Sequence, residues 1–137
     1  MSYLNVKNGI IALLKQAGFA PSKEVVDFDK VATNKLSKSY IINSRSGARD
    51  EDSTLASRVQ DIQVWEIQIA YPRNANNDLS MRDQLGIDRD NIIKIVDNYA
   101  NWQTFVKQLK YLDWDVTEEE NYFLLILNIE VIDINSY

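Results

Sequence analysis

The sequence predicts an α+β domain: a mainly antiparallel mixed sheet, an N-terminal helix, a second helix packed on one face, and a long hairpin loop or arm. Three observations lead there. Near the end of the chain Phe123, Leu125, Leu127, Ile129 and Val131 recur at period two, the spacing of a β-strand. Near its start Tyr3, Val6, Ile10, Leu13, Leu14 and Ala17 recur at helical spacing. Between them Ile92, Ile95, Val96 and Tyr99 fall at i, i+3, i+4 and i+7, a second helical stripe. At 137 residues the chain is one domain, residues 1–137, long enough to bury an ordinary core without staples.

Taken in order, the first helix has Ser2 to cap its start, Gly18 at the position after its end, and Pro21 to forbid continuation. Gly9 weakens its interior by about 1 kcal/mol relative to Ala, so a close approach of another part of the chain is expected there. Glu24 to Phe28 reads as a short edge strand, and Leu36 to Asn43 as a fuller one. Residues 44–60, opening Ser44-Arg45-Ser46-Gly47-Ala48-Arg49, are polar, unperiodic and mixed in charge. They read as a long loop or arm, and long loops in small domains are commonly functional.

From Gln60 to Tyr71 a strand returns with its apolar stripe changing face. Ile62 and Val64 point one way, and Trp65, Ile67, Ile69 and Tyr71 the other. Either a bulge near Val64 reconciles them, or the first half is an arm whose apolar side meets something outside the monomer. Pro72 ends the strand, and an Asn-rich turn follows at Arg73 to Asp78. A helical turn through Leu85 is expected to break at Gly86, with the second helix starting at Asp88 or Asp90 and its acids at the favourable dipole end. Trp102 and Phe105 extend or follow it. Leu112, Trp114 and Val116 alternate with Asp113 and Asp115 as a strand, and the acidic turn Thr117 to Asn121 closes a hairpin onto the final strand.

Composition narrows the chemistry. The chain has no Cys and no His, which removes disulfides, thiolate and imidazole catalysis, and zinc sites built from either residue. A net charge of −5 argues against sequence-specific or generic nucleic-acid binding, which needs a concentrated positive field. The apolar run Ile10 to Leu14 is too short to span a bilayer and lacks the flanks of a signal peptide, so no membrane partner is expected. With four Gly no phosphate-cradling loop can be written.

Carboxylates remain. Asp113, Asp115 and Glu118 to Glu120 cluster, but without a calcium-loop pattern they read as a solvated turn, and no metal or cofactor is expected. Asp61 and Glu66 share a strand as metal-nuclease acids do, yet the required lysine position holds Gln68. No catalytic residue is assigned, and the chain reads as a non-enzyme. The candidate interaction residues are Arg45, Arg49 and Arg58 in the long loop, whose forks suit phosphate or an acidic partner surface, and the unpartnered pair Ile62 and Val64. A self-neutralising hairpin tip is the plainer reading of the same arginines.

The order of elements resembles a family. An amphipathic helix, a strand like Ser39-Tyr40-Ile41-Ile42, a long arm, a strand like Trp65-Glu66-Ile67-Gln68-Ile69-Ala70-Tyr71, a helix like Asn91-Ile92-Ile93-Lys94-Ile95-Val96 and a closing strand over Tyr122 to Val131 follow one another. This is similar to the tail terminator or tail-completion proteins of tailed-bacteriophage necks, over nearly the whole chain. The likeness is one of order and texture, without a diagnostic motif. It implies a virion protein assembled in the host cytoplasm, forming a homo-oligomeric ring of about six subunits. Such a ring caps the tail tube, and its partners are the tube protein and head-closure or connector proteins. The alternatives are another head–tail connector component and an acidic, monomeric inhibitor or immunity-type protein that binds a basic partner.

Overall fold

The computed structural model describes residues 3–55, 58–73 and 78–136, with the side chains of all of these except 33, 48–61 and 133–136. In chain order it contains helix α1 (Tyr3–Gln16), strands β1 (Tyr40–Leu55) and β2 (Arg58–Pro72), helix α2 (Asp78–Val96), and strands β3 (Gln108–Glu118) and β4 (Tyr122–Ser136). The four strands form one antiparallel sheet in the order β1-β2-β4-β3. Two hairpins are thus laid side by side, with the second reversed. This is the α+β architecture that the periodicities predict, with both helices against the sheet.

The apolar stripes set the layering. Trp65, Ile67, Ile69 and Tyr71 of β2 and Phe123, Leu125, Leu127, Ile129 and Val131 of β4 are all buried on one sheet face. Val6, Ile10, Leu13 and Leu14 of α1 and Leu85, Ile92 and Val96 of α2 cover them. A smaller core on the opposite face, around Phe28, Leu36 and Ala70, covers only the Tyr122 end of β4. Beyond it that face is open, which is why the apolar alternation of β4 gives way to Asn128 and Glu130.

Helix α1 ends as the sequence requires. Gly18 takes φ +95, its N–H donates to Lys15 O (3.1 Å) and that of Phe19 to Leu14 O (2.9 Å), the paired bonds of a Schellman cap. The close approach expected at Gly9 is the ring of Phe105, which occupies the space a Cβ would fill. Gly9→Ala gains about 1 kcal/mol of helix propensity but must displace a packed ring at a cost of roughly 1–3 kcal/mol. A lowered urea midpoint is the expected outcome, and Phe105→Leu in the same chain should relieve it.

Several boundaries differ from expectation. Glu24 to Phe28 forms only an isolated parallel bridge, Glu24 to Tyr40, between 3-10 turns at Pro21–Lys23 and Phe28–Lys30. A further turn, Thr33–Lys35, precedes Leu36, and the strand expected from Leu36 starts only at Tyr40, after a turn at residues 37–38 in which Lys38 takes φ 60. Helix α2 runs unbroken through Gly86, because buried Leu85 and Asp88 on either side anchor it. Asp88 is therefore a mid-helix core residue and not a cap. After α2 the chain makes a 3-10 turn at Tyr99–Asn101, where Trp102 Nε1 donates to Val96 O (2.7 Å) and Asn101 Nδ2 to Ile95 O (2.9 Å). These side chains satisfy helix-end carbonyls that would otherwise lack donors. Ser2 and most of the Asn-rich turn, residues 74–77, lie outside the described residues.

Candidate functional site

Residues 44–60 read as a long loop or arm; those described, 44–55 and 58–60, form an arm as the outer halves of β1 and β2, paired from Ser46↔Val64 out to Leu55↔Arg58. Strand β4 follows them to Arg58↔Ser136, whereas β3 stops at Gln108↔Ile132. A three-stranded ribbon, the arm, thus runs past β3, and from Val64 to Arg58 it spans about 20 Å at strand rise. Polar composition hid it, because a ribbon open on both faces carries no apolar alternation. The bulge is also not in β2, which pairs with β4 without a shift along its whole length. It lies opposite, in β1 between Ser44 and Ser46. Ile62 and Val64 occupy the open sheet face, half-buried, with Ile62 directly across from Ile132. Their partner in part is the neighbouring strand.

The five predicted interaction residues all lie on this arm or at its root. Arg45, the extra residue of the β1 bulge, turns across the open face. Its Nη1 donates to Asn128 Oδ1 (3.1 Å), and its Nε lies 3.6 Å from Glu66 Oε2. Glu66 also accepts from Gln68 Nε2, and Asn128 Nδ2 donates to Asp113 Oδ1 (2.6 Å). A polar network therefore crosses the open face from β1 to β3. Arg49 pairs with Asp61 across the arm, and Arg58 stands at its outer end; their side chains lie outside those described.

A second feature escaped the sequence reading. Strand β3 is an outer edge, and Leu112 (38%) and Trp114 (44%) on it are exposed. Beside it a groove of about 320 Å³ is lined by Arg82, Leu85, Arg89, Trp114, Glu118 and Phe123 among others. The Arg89 guanidinium sits 4.3 Å over the Trp114 ring, and Arg82, paired with Glu118, lies 5.0 Å over Phe123. Contacts between residues on α2 and residues on β3 and β4 separate too widely in sequence to be found from spacing.

Among the described residues the one buried charge is Asp88, 2% exposed. It accepts from Tyr71 Oη (2.7 Å) and Gln84 Nε2 (2.9 Å) and pairs with Lys38 Nζ at 3.6 Å. Burial first, and then the Asp88 charge, push the Tyr71 hydroxyl far above the usual tyrosine range, so it stays a neutral donor. Its acceptor sites committed, Asp88 ties α2 to β2 and to the turn before β1. The sign of the linkage follows. A phenol whose folded value is raised contributes stability that is full below its unfolded value near pH 10 and is lost above it. Stability should fall by about 1.4 kcal/mol per pH unit above that point. Urea midpoints measured between pH 9 and 11.5 should fall less steeply in Tyr71→Phe, by that slope.

Among the described residues no group of three or more Asp or Glu is placed to hold a metal ion. In the acidic cluster Asp115 Oδ1 accepts from the Val116 N–H (2.8 Å) and Glu118 is taken by Arg82. No helix among the described residues is long and apolar enough to cross a membrane. No protein-family model matches the chain, and no curated protein matches its sequence.

Proposed function

We propose that this chain is a structural virion protein of a tailed-phage neck, capping the tail tube as a ring and joining tail to head. The observation that carries the reading is the arm. Three strands extend past β3 and past the buried core residues at Trp65 and Val131, a reach that a self-contained domain has no use for. A closed ring needs two different surfaces that meet head to tail. The sheet offers two different edges, β1 and β3, on opposite sides of the molecule. The order of elements adds its resemblance to tail terminator proteins. The role is that of an assembly part, and its partners are other copies, the tail tube protein and the head-closure proteins.

Native mass spectrometry across a concentration series, with negative-stain imaging, tests this. Closed rings of about six subunits are the expected result. A monomer that neither self-associates nor cosediments with tail tubes, and instead forms a tight one-to-one complex with a basic protein, overturns the reading in favour of an inhibitor.

A further inference from the structure

We propose that the arm pivots on the row formed by Ser44, Trp65, Ile129 and Tyr111, and that the Arg45 side chain is the catch that holds its angle. The inference concerns motion within one chain, so its test is independent of the neck reading.

Both edges of the sheet are bulged at this row. The pairings run Ser44↔Trp65, Trp65↔Ile129 and Ile129↔Tyr111 across all four strands. Strand β1 carries its extra residue, Arg45, just outward of the row, and β3 carries its own, Leu112, just inward of it. Strands β2 and β4 run between them with no shift. A bulge bends its strand and increases the local twist. Bulges on both edges, flanking one row of a continuous central pair, mark where the sheet changes course.

Packing changes at the same row. Trp65 and Ile129 are buried, and the Tyr3 ring of α1 stacks on Trp65 at 5.2 Å. Outward of Trp65, Val64 and Ile62 lie on the open face, and the next residue on the covered face is Gln63, whose Oε1 accepts from Trp65 Nε1 (2.8 Å). Paired strands with few buried apolar contacts are the parts of a domain that move most readily.

The polar network on the open face opposes that motion. The Arg45 guanidinium reaches over β2, with Nη1 donating to Asn128 Oδ1 (3.1 Å) and Nε 3.6 Å from Glu66 Oε2. Asn128 in turn donates to Asp113 on β3 (2.6 Å), and its neighbours Leu127 and Ile129 are anchored in the core. The bulge makes this reach possible, because its extra residue has no cross-strand partner and is free to turn across the face. A planar fork held by acceptors on two strands fixes a direction as well as a distance. The Arg45 side chain is also 52% exposed, so salt or a competing carboxylate can release it.

The chain has no Cys, so introduced cysteines carry spin labels at chosen sites alone. Ser53→Cys in the outer half of β1 with Lys15→Cys on α1 reads the arm angle by double electron–electron resonance. Lys15→Cys with Lys94→Cys, on the two helices, is the control. Labelled chain is diluted with unlabelled chain of the same sequence, so that only distances within one chain are read. With Arg45 present the arm distance should be a single narrow peak. Arg45→Ala keeps the bulge and loses the catch, and the population outside that peak should rise about fivefold, the weight of one exposed ion pair, with the control peak unmoved. Deleting Arg45 removes the bulge and leaves the outer pairing in register, since Ser44 and Ser46 already meet consecutive residues of β2; the mean arm distance should then shift. An Arg45→Ala distribution that matches the wild type, narrow or broad, overturns the catch. So does a control peak that broadens with the arm peak, because Arg45 would then be holding the body together. A deletion that leaves the mean distance in place overturns the pivot.

Discussion

Asp88→Ala is expected to cost about 3–5 kcal/mol, because removing one member of a buried charge set strands the others. The change leaves the Tyr71 hydroxyl, the Gln84 amide and the Lys38 ammonium without their shared acceptor. Against a total stability of roughly 5–15 kcal/mol for a domain of this kind, that loss should lower the urea midpoint severely or prevent folding at 37 °C. Asp88→Asn keeps an acceptor for Tyr71 but gives up the charge facing Lys38, and should cost less. The decisive comparison replaces the most buried partners. Asp88→Leu with Tyr71→Phe and Lys38→Met removes the stranded hydroxyl and ammonium and leaves only the half-buried Gln84 amide, which can turn to water. It should recover most of the loss, as buried ion pairs exchanged for apolar residues commonly do. Tryptophan fluorescence in urea reads all three, since Trp65 is fully buried. A triple variant no better than Asp88→Ala would show that packing around Asp88, and not its hydrogen bonds, sustains the contact between α2 and β2.

What the sequence revealed and what it hid divide along a physical line. Where one face of an element is buried, periodicity announced it. The stripes Val6–Ile10–Leu13–Leu14, Ile92–Val96 and Phe123 to Val131 all fall on the core. Gly9 and Gly18 also declared themselves, one by a missing side chain under Phe105 and one by its positive φ. The sequence left loop and arm open for residues 44–60 because no helix packs on the strands there, so nothing constrains the residues to alternate. The unbroken course of α2 was misread because Gly86 costs the helix only about 1 kcal/mol, less than burial of Leu85 and Asp88 returns.

Candidate interaction residues were legible only as chemistry. Arg45 could be named as an unassigned guanidinium in a polar stretch, but its partners Glu66 and Asn128 come from two other strands. Finding them requires the sheet order, and the order β1-β2-β4-β3 is not encoded in any local spacing. The same holds for the groove beside β3, where Arg89 and Trp114 meet from 25 residues apart in sequence (114 − 89). Ile62 and Val64 were correctly seen to face away from Trp65. That they lie on an open sheet face beside Ile132 again depends on pairing.

Shortening the arm should separate folding from assembly completely. Gly47 and Gln63 are directly paired, so joining them through Asn-Gly, the pair favoured in two-residue hairpin turns, removes the outer arm in register. Ending the chain at Asp133 trims the matching length of β4, while Ile132, whose carbonyl accepts from the Lys107 N–H (3.1 Å), is kept. The buried residues of β2 and β4 named above begin at Trp65 and end at Val131, inside the cut. The shortened chain should therefore remain folded, with a thermal midpoint lowered by no more than the partial exposure of Ile132 requires, about 1 kcal/mol in stability. Assembly should be lost at every concentration at which the full chain forms rings, because the arm carries one of the two surfaces a head-to-tail junction needs. Rings formed by the shortened chain would place the junction on the helices or the root of the sheet, and the arm would then face the tube or the head and not the neighbouring subunit. Loss of the fold would show instead that the outer pairing of β1, β2 and β4 stabilises the domain itself. In that case the arm's length would answer to stability before assembly.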